Sequence, residues 1–165
     1  MAKFFDSIRP SALIRNALEL DFPARTLDLA IQEHMSARLF REVNACGTFI
    51  QPKGRSILAG CISSCALTKA LLPKVLEHAH LSYRPIKIGT WIDDIGQTMQ
   101  GPAQIVKRIL PEAAASLAEG LRALGCVVSP KTVLNASSPA FGHELRSALK
   151  RFNLDIPFTP HIKDL

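Results

Sequence analysis

Ile86-Lys87-Ile88-Gly89-Thr90-Trp91-Ile92-Asp93-Asp94-Ile95-Gly96-Gln97-Thr98-Met99 is the stretch from which the rest of the chain is read. Two apolar, β-branched runs flank a pair of adjacent acids. That is the pattern of a β-hairpin with Asp93 and Asp94 at or beside its turn. Neighbouring carboxylates repel, so the pair is costly unless something cationic sits with it. Hard oxygen ligands suit Mg²⁺, and Mg²⁺ held this way takes substrate phosphates as further ligands. The pair therefore points to nucleotide chemistry. Taken alone it is weak, since most Asp-Asp dipeptides are solvated turn residues.

The totals set the frame. The chain has 165 residues, enough for one domain or part of one. Hydrophobic residues make up 47% of it, so a buried core is within reach. The formal charge of +6 suits a polyanionic partner, although Lys and Arg are scattered and form no basic run. No stretch is long and apolar enough to span a membrane, and the first residues show no secretory leader pattern. Cys46, Cys61, Cys65 and Cys126 fit no zinc spacing and read as buried, reduced thiols. His78 and His80 read as surface residues near a helix end. No Gly-rich phosphate loop and no Ser-His-Asp pattern stands out.

Along the chain, residues 10–21 predict a helix with Pro10 in its first turn and Leu13, Ile14, Ala17 and Leu18 on one stripe. Asp21-Phe22-Pro23 breaks it. A longer helix follows over about 24–45, with Leu27, Ala30, Ile31, Met35, Leu39 and Val43 on one face. Thr48 to Leu58 reads as a hairpin around Pro52-Lys53-Gly54. A run of small residues from Ala59 leads into a helix over about 63–79. After the Asp-Asp hairpin, Gly101-Pro102 opens a helix to about Leu124, which Pro111 should kink or split and Gly125 should cap. Cys126-Val127-Val128 and Thr132-Val133-Leu134 read as strands. Pro139 starts a last helix with Phe141, Leu145, Leu149 and Phe152 inward.

Helix, acid-bearing hairpin, helix, strand is an α/β (α+β) order that resembles the palm of template-dependent polymerases. Four segments sharpen the likeness. Trp91-Ile92-Asp93-Asp94 resembles the aromatic-x-Asp-Asp box of reverse transcriptases, with Trp where Tyr is usual. Leu124 to Lys131 resembles the downstream Leu-Gly-apolar stretch that ends in Lys. Gly54 through Cys65 resembles the box between the long helix and the hairpin. There Gly60 and Ser64 match, while Ala59 stands in place of Gln and Cys65 in place of Pro. Ile162-Lys163-Asp164-Leu165 resembles the start of the segment near the primer grip. The likeness is to retrotransposon-type reverse transcriptases of the divergent, dinoflagellate-like kind, and it covers nearly the whole chain.

The resemblance implies a ferredoxin-like antiparallel sheet with packed helices and its first strand missing. Residues 1–165 would form a single partial palm domain. Met1-Ala2-Lys3-Phe4-Phe5-Asp6 resembles all but the first residue of the family's first catalytic box, Asp-x-x-Lys-x-Phe-Asp. The metal-binding Asp would then fall one place before Met1, the fingers before it, and the thumb after Leu165. By the same resemblance Asp93 and Asp94 are catalytic and bind Mg²⁺ or Mn²⁺, with Asp93 the direct ligand and Asp94 assisting. Lys131 would help the departing pyrophosphate. Phe5 would exclude a ribose 2′-hydroxyl, and Gly60, Ser64 and Trp91 would lie at the substrate. Asp6 reads instead as a helix-capping acid ahead of Pro10.

The expected partners are an RNA template, a DNA primer and deoxynucleoside triphosphates, in the nucleus or cytoplasm. The expected activity is two-metal nucleotidyl transfer in the full-length ancestor, with this chain inactive for want of the first Asp. Two other readings stand beside it. One is a non-catalytic palm remnant that binds nucleic acid. The other is an unrelated small α/β protein whose Asp-Asp turn is mere surface.

Overall fold

The computed structural model describes residues 4–40, 47–50, 54, 57 and 61–160. Among these the chain is mixed α/β, with seven helices and two separate two-stranded antiparallel sheets. It divides into two compact units, Lys3–Pro73 and Lys74–Leu165, with Met1–Ala2 grouped with the second.

In the first unit, α1 (Phe4–Ser7) precedes α2 (Pro10–Glu19) and α3 (Ala24–Met35). Strand β1 (Arg38–Phe40) pairs with β2 (Thr48–Ile50), and α4 (Ser64–Leu71) follows. Pro10 sits in the first turn of α2, where its missing N–H is an orphan in any case. Leu13 and Ala17 on α2 are buried, as are Leu67 and Leu71 on α4, and the two helices pack together. Asn16 is buried in the same face and donates its Nδ2 to the Leu71 carbonyl at 3.0 Å. That bond satisfies one of the carbonyls left over at the end of α4. Leu18, expected on the buried stripe, is 49% exposed. The α2 cap is Arg9, with no side-chain cap bond, so Asp6 does not cap this helix; it is exposed within α1.

Helix α3 stops at Met35, ten residues short of the expected end. Ser36 is already extended at φ −71°, ψ 148°. Arg38 enters β1 and turns its Nη2 back to the His34 carbonyl at 2.8 Å, closing the helix end with a cation. Leu39 is accordingly exposed on a strand rather than buried on a helix. Residues 41–46, and with them Val43 and Cys46, lie outside the described residues. So do Pro52 and Lys53 of the expected hairpin turn; β2 pairs with β1.

The second unit begins at a helix break. The helix expected over 63–79 is two, because Pro73 has no N–H for the preceding turn. Here α4 ends at Leu71 and α5 (Pro73–Ser82) begins beyond Leu72. Strands β3 (Lys87–Trp91) and β4 (Asp94–Thr98) form the hairpin predicted from sequence, in the register Trp91↔Asp94, Gly89↔Gly96, Lys87↔Thr98. Helix α6 (Ala103–Ala123) runs through Pro111 without splitting. Pro111 is buried between Val106 and the Ala113, Ala115, Leu117, Ala118 and Leu121 positions, and that apolar face holds the turns on both sides of it. Gly125 ends α6 at φ +89°, with Cys126 N–H bonded to the Leu121 carbonyl and Gly125 N–H to Arg122. This is the expected glycine cap.

Helix α7 (Pro139–Lys150) starts on Ser138, whose hydroxyl accepts from Phe141 N–H at 3.3 Å. Leu145 and Leu149 face a core shared with Val106, Ala115 and Ala118 of α6 and with Leu134 and Leu154. Phe152, expected inward, is 39% exposed beyond the helix end. The strands expected at 126–128 and 132–134 are not formed. Leu134 makes an isolated parallel bridge to Phe158, with Leu134 N–H on the Pro157 carbonyl and Thr159 N–H on the Leu134 carbonyl. The strands among the described residues thus stay in two hairpins rather than one sheet.

The cysteines also differ from expectation. Cys126 is buried, but Cys65 is exposed and Cys61 is half-buried with its Sγ 3.6 Å from both oxygens of the Glu33 carboxylate. None of the three is in a disulfide. His78 and His80 are exposed on α5, as expected.

Two predictions follow from packing. Gly142 on α7 is buried, and a Cβ there would run into the Phe158 ring. Gly142→Ala would gain about 1 kcal/mol of helix propensity but lose roughly 1–3 kcal/mol to overpacking. A net loss of about 1 kcal/mol is expected in urea unfolding followed by circular dichroism. A more stable variant would show that the Phe158 ring moves aside at little cost. His34 is buried in α3, and its pKa lies below the ordinary histidine value, chiefly by burial, with Glu33 opposing and Arg38 adding to the shift. The folded pKa is depressed, so the stabilisation is present above the unfolded value and is lost as pH falls through the folded one. The urea midpoint should drop between pH 7.5 and 5, and His34→Gln should flatten that drop.

Candidate functional site

The hairpin of β3 and β4 carries the chemistry-bearing cluster. A two-residue loop, Ile92-Asp93, joins Trp91 to its partner Asp94. Such loops need a left-handed residue so that the turn twists with the strands. Here that residue is Ile92, at φ +54°. A β-branched side chain in this region is an outlier, because its Cβ crowds the following carbonyl. Glycine would be the undemanding choice. The strain sits between Trp91 and the two acids, and strain of this kind concentrates at functional turns.

Pairing fixes which side chains share a face. Residues directly opposite in an antiparallel pair project to the same side. Lys87 and Thr98, Gly89 and Gly96, and Trp91 and Asp94 therefore line one face, and all six are exposed. Trp91 is 77% exposed at its tip. The other face carries Ile88, Ile95 and Gln97, each half-buried. Gln97 donates its Nε2 to the Ala113 carbonyl of α6 at 3.4 Å, tying that face to the helix. Asp93 is half-buried in the turn itself, and Asp94 is exposed at the start of β4. The turn thus offers two hard carboxylates, one on each side of the loop-to-strand junction.

The remaining expected site residues fall elsewhere. Lys131 belongs to the same unit and is exposed in a turn closed by Thr132 N–H on the Ser129 carbonyl. Its own N–H donates to Ser129 Oγ at 3.2 Å. Phe5 and Ser64 belong to the first unit. Phe5 is half-buried, edge-on to Phe4 with ring centroids 5.3 Å apart, and its carbonyl accepts from Ile57 N–H. Ser64 is buried at the first turn of α4, and its carbonyl accepts from the Thr68 hydroxyl at 2.9 Å. Gly60 lies outside the described residues, as do residues 161–165 with the expected primer-grip start. The structure therefore brings Trp91, Asp93 and Asp94 together on one turn and keeps Lys131 in their unit.

The donor chemistry at the turn suits a hard divalent cation such as Mg²⁺ or Mn²⁺ as part of a ligand set. Asp93 and Asp94 are the residues that would hold it. They make a pair rather than a cage: no group of three His, Cys, Asp or Glu side chains is placed to hold a metal among the described residues. Also among those residues, no helix is long and apolar enough to cross a membrane. The pairing of Trp91 with Asp94 and the bare Gly89-Gly96 step could be read from sequence only by assuming the two-residue loop. That loop was signalled by nothing except the symmetry of the flanking runs, since its left-handed residue is neither Gly nor Asn. Compared with family models, with curated proteins and with solved structures, the chain finds no match.

Ile92→Gly tests the turn. Removing the side chain should release roughly 1–2 kcal/mol of left-handed strain, offset by about 0.5–1 kcal/mol of added chain entropy in the unfolded state. The unfolding midpoint should stay level or rise. A clear fall would mean that the Ile92 side chain holds the hairpin by packing.

Proposed function

We propose that the chain is a palm-type segment of a retroelement reverse transcriptase, and that Asp93 and Asp94 are its metal-bearing acids. The observation that carries this reading is one hairpin tip with Asp93 in its two-residue loop, flanked by the exposed pair Trp91 and Asp94. The hairpin is backed by a long amphipathic helix and followed by a lysine-bearing turn in the same unit. The finer fold, a polymerase palm, is part of the proposal. What supports it is the order of helix, hairpin, helix around the acids.

A divalent metal bound at the turn would supply charge neutralisation and Lewis acidity toward phosphoryl oxygens. The chain's own residues would do the rest. Asp93 is the direct ligand and Asp94 assists. Trp91 offers a flat surface beside them on which a base can stack, as aromatic side chains do in single-strand binding. Lys131 is exposed and free to meet a phosphate leaving group. RNA template, DNA primer and deoxynucleoside triphosphates are the proposed partners.

Two carboxylates are fewer than a two-metal site uses, so the 165-residue chain is expected to bind metal and nucleic acid without extending a primer. Mn²⁺ titration followed by electron paramagnetic resonance should show binding that Asp93→Asn weakens by roughly tenfold or more. A primer–template duplex should bind with an affinity that falls steeply with salt and is indifferent to Asp93→Asn. Mg²⁺-dependent, template-directed synthesis by this chain would overturn its inactivity. Absence of both Mn²⁺ and nucleic-acid binding would overturn the palm reading.

A further inference from the structure

The second unit also holds a cavity that the acids of the hairpin do not line. It measures about 190 Å³ and is lined by Arg122 from the last turn of α6, by Ser129 and Thr132, and by Asn153 and Asp155 beyond α7. We propose that this cavity is a phosphate-binding site. The proposal goes beyond the polymerase reading and does not depend on it.

Charge is the first argument. Asp155 is the one acid in the lining. Its Oδ1 accepts from Arg146 Nε at 3.3 Å and Nη2 at 3.0 Å, and Lys150 Nζ lies 3.6 Å from the same oxygen. Two cations outside the lining are therefore directed at the carboxylate within it. They offset the charge of Asp155, and Arg122 is then the cation that the cavity wall itself supplies. The local balance favours an anion.

Donors are the second argument. Arg122 presents a planar guanidinium, whose paired N–H groups match two oxygens of a phosphate. Thr132 brings a hydroxyl and Asn153 an amide. Ser129 Oγ already accepts the Lys131 N–H, which leaves its own proton to donate. Asn153 is held in the left-handed conformation at φ +58°, with its N–H on the Lys150 carbonyl, so the chain turns sharply at the cavity edge. Val128, Pro130, Leu154, Ile156 and Pro157 complete the wall with apolar surface, which strengthens the field of Arg122 inside it. The volume takes one phosphate group with its first waters, not a whole nucleotide. The phosphate can belong to a free phosphate compound or to the backbone of a nucleic acid.

The test is a titration of the ¹⁵N-labelled full chain with inorganic phosphate, at ionic strength held constant with NaCl and read by amide chemical shifts. Saturable shifts confined to residues 129–132 and 153–155 are expected. Arg122→Ala should weaken the apparent affinity by roughly tenfold, and Thr132→Val by a smaller factor. Arg108→Ala removes an exposed arginine from the same helix and should leave it unchanged. Equal losses in Arg122→Ala and Arg108→Ala, or shifts that are diffuse or never saturate, would overturn the site. A parallel titration with a single-stranded oligonucleotide tells the sources apart. Competition with inorganic phosphate that depends on Arg122 assigns a backbone phosphate, and its absence beside saturable phosphate binding assigns a free one. Primer-extension and Mn²⁺ results leave either outcome untouched, so the two proposals fail separately.

Discussion

The second unit depends on one packed stripe, the apolar side of α6. Val106, Ala115 and Ala118 meet Leu145 and Leu149 of α7 in a shared core, while the Ala113 carbonyl takes the side-chain amide of Gln97 from the hairpin. A single 21-residue helix therefore supports both the acid-bearing turn and the Leu134–Phe158 closure. Ala113, Ala115 and Ala118 lie on its buried side, which lets neighbours approach closely. Gly120 shows the same economy: a Cβ there would meet Val75 Cγ1 at 2.7 Å. The hairpin is tied to α6 through Gln97 and leaves its tip and one face to solvent.

That division gives the turn its character. A two-stranded hairpin is marginal by itself and needs a surface to lie on. Here the half-buried face supplies the anchoring, and the exposed face is free of structural duty. Gly89 and Gly96, opposite each other on that face, meet no side chain that would forbid a larger residue. Glycine within a strand weakens it, so their presence and the left-handed Ile92 are local departures from what stability alone would select. They fall on the same short element as the only adjacent acid pair of the chain.

The hairpin and the glycine cap of α6 were legible because each rests on a local signal: β-branched runs flanking an acid pair, and a Gly after a periodic helix. The ends of other elements were not, because they are set by partners distant in sequence. Helix α3 gives way at Ser36 to a strand whose partner lies ten residues on, and no pattern within 24–45 announces it. Leu134 bonds to residues 157–159, so the apolar triplets at 126–128 and 132–134, which look like a hairpin, are not paired with each other. Pro73 divided a helix while Pro111 did not. Both lack the N–H, and what separates them is the buried face around Pro111, which sequence periodicity suggested but could not weigh. For the candidate site, the acids and Trp91 were visible as a motif. The cavity near Asp155 was not, since its lining is assembled from three stretches joined only by folding.

The placement of Trp91 has a consequence for how this molecule can be watched. It is the one tryptophan of the chain, and its indole stands mostly in water in the folded state. A ring so placed should emit as a solvated one, so unfolding of the helical cores has little polarity change to report through it. The same ring lies across from Asp94 at the hairpin tip and is a local optical reporter of whatever settles on the acid turn. Spectral silence during denaturation and spectral response at the turn arise from one fact of geometry.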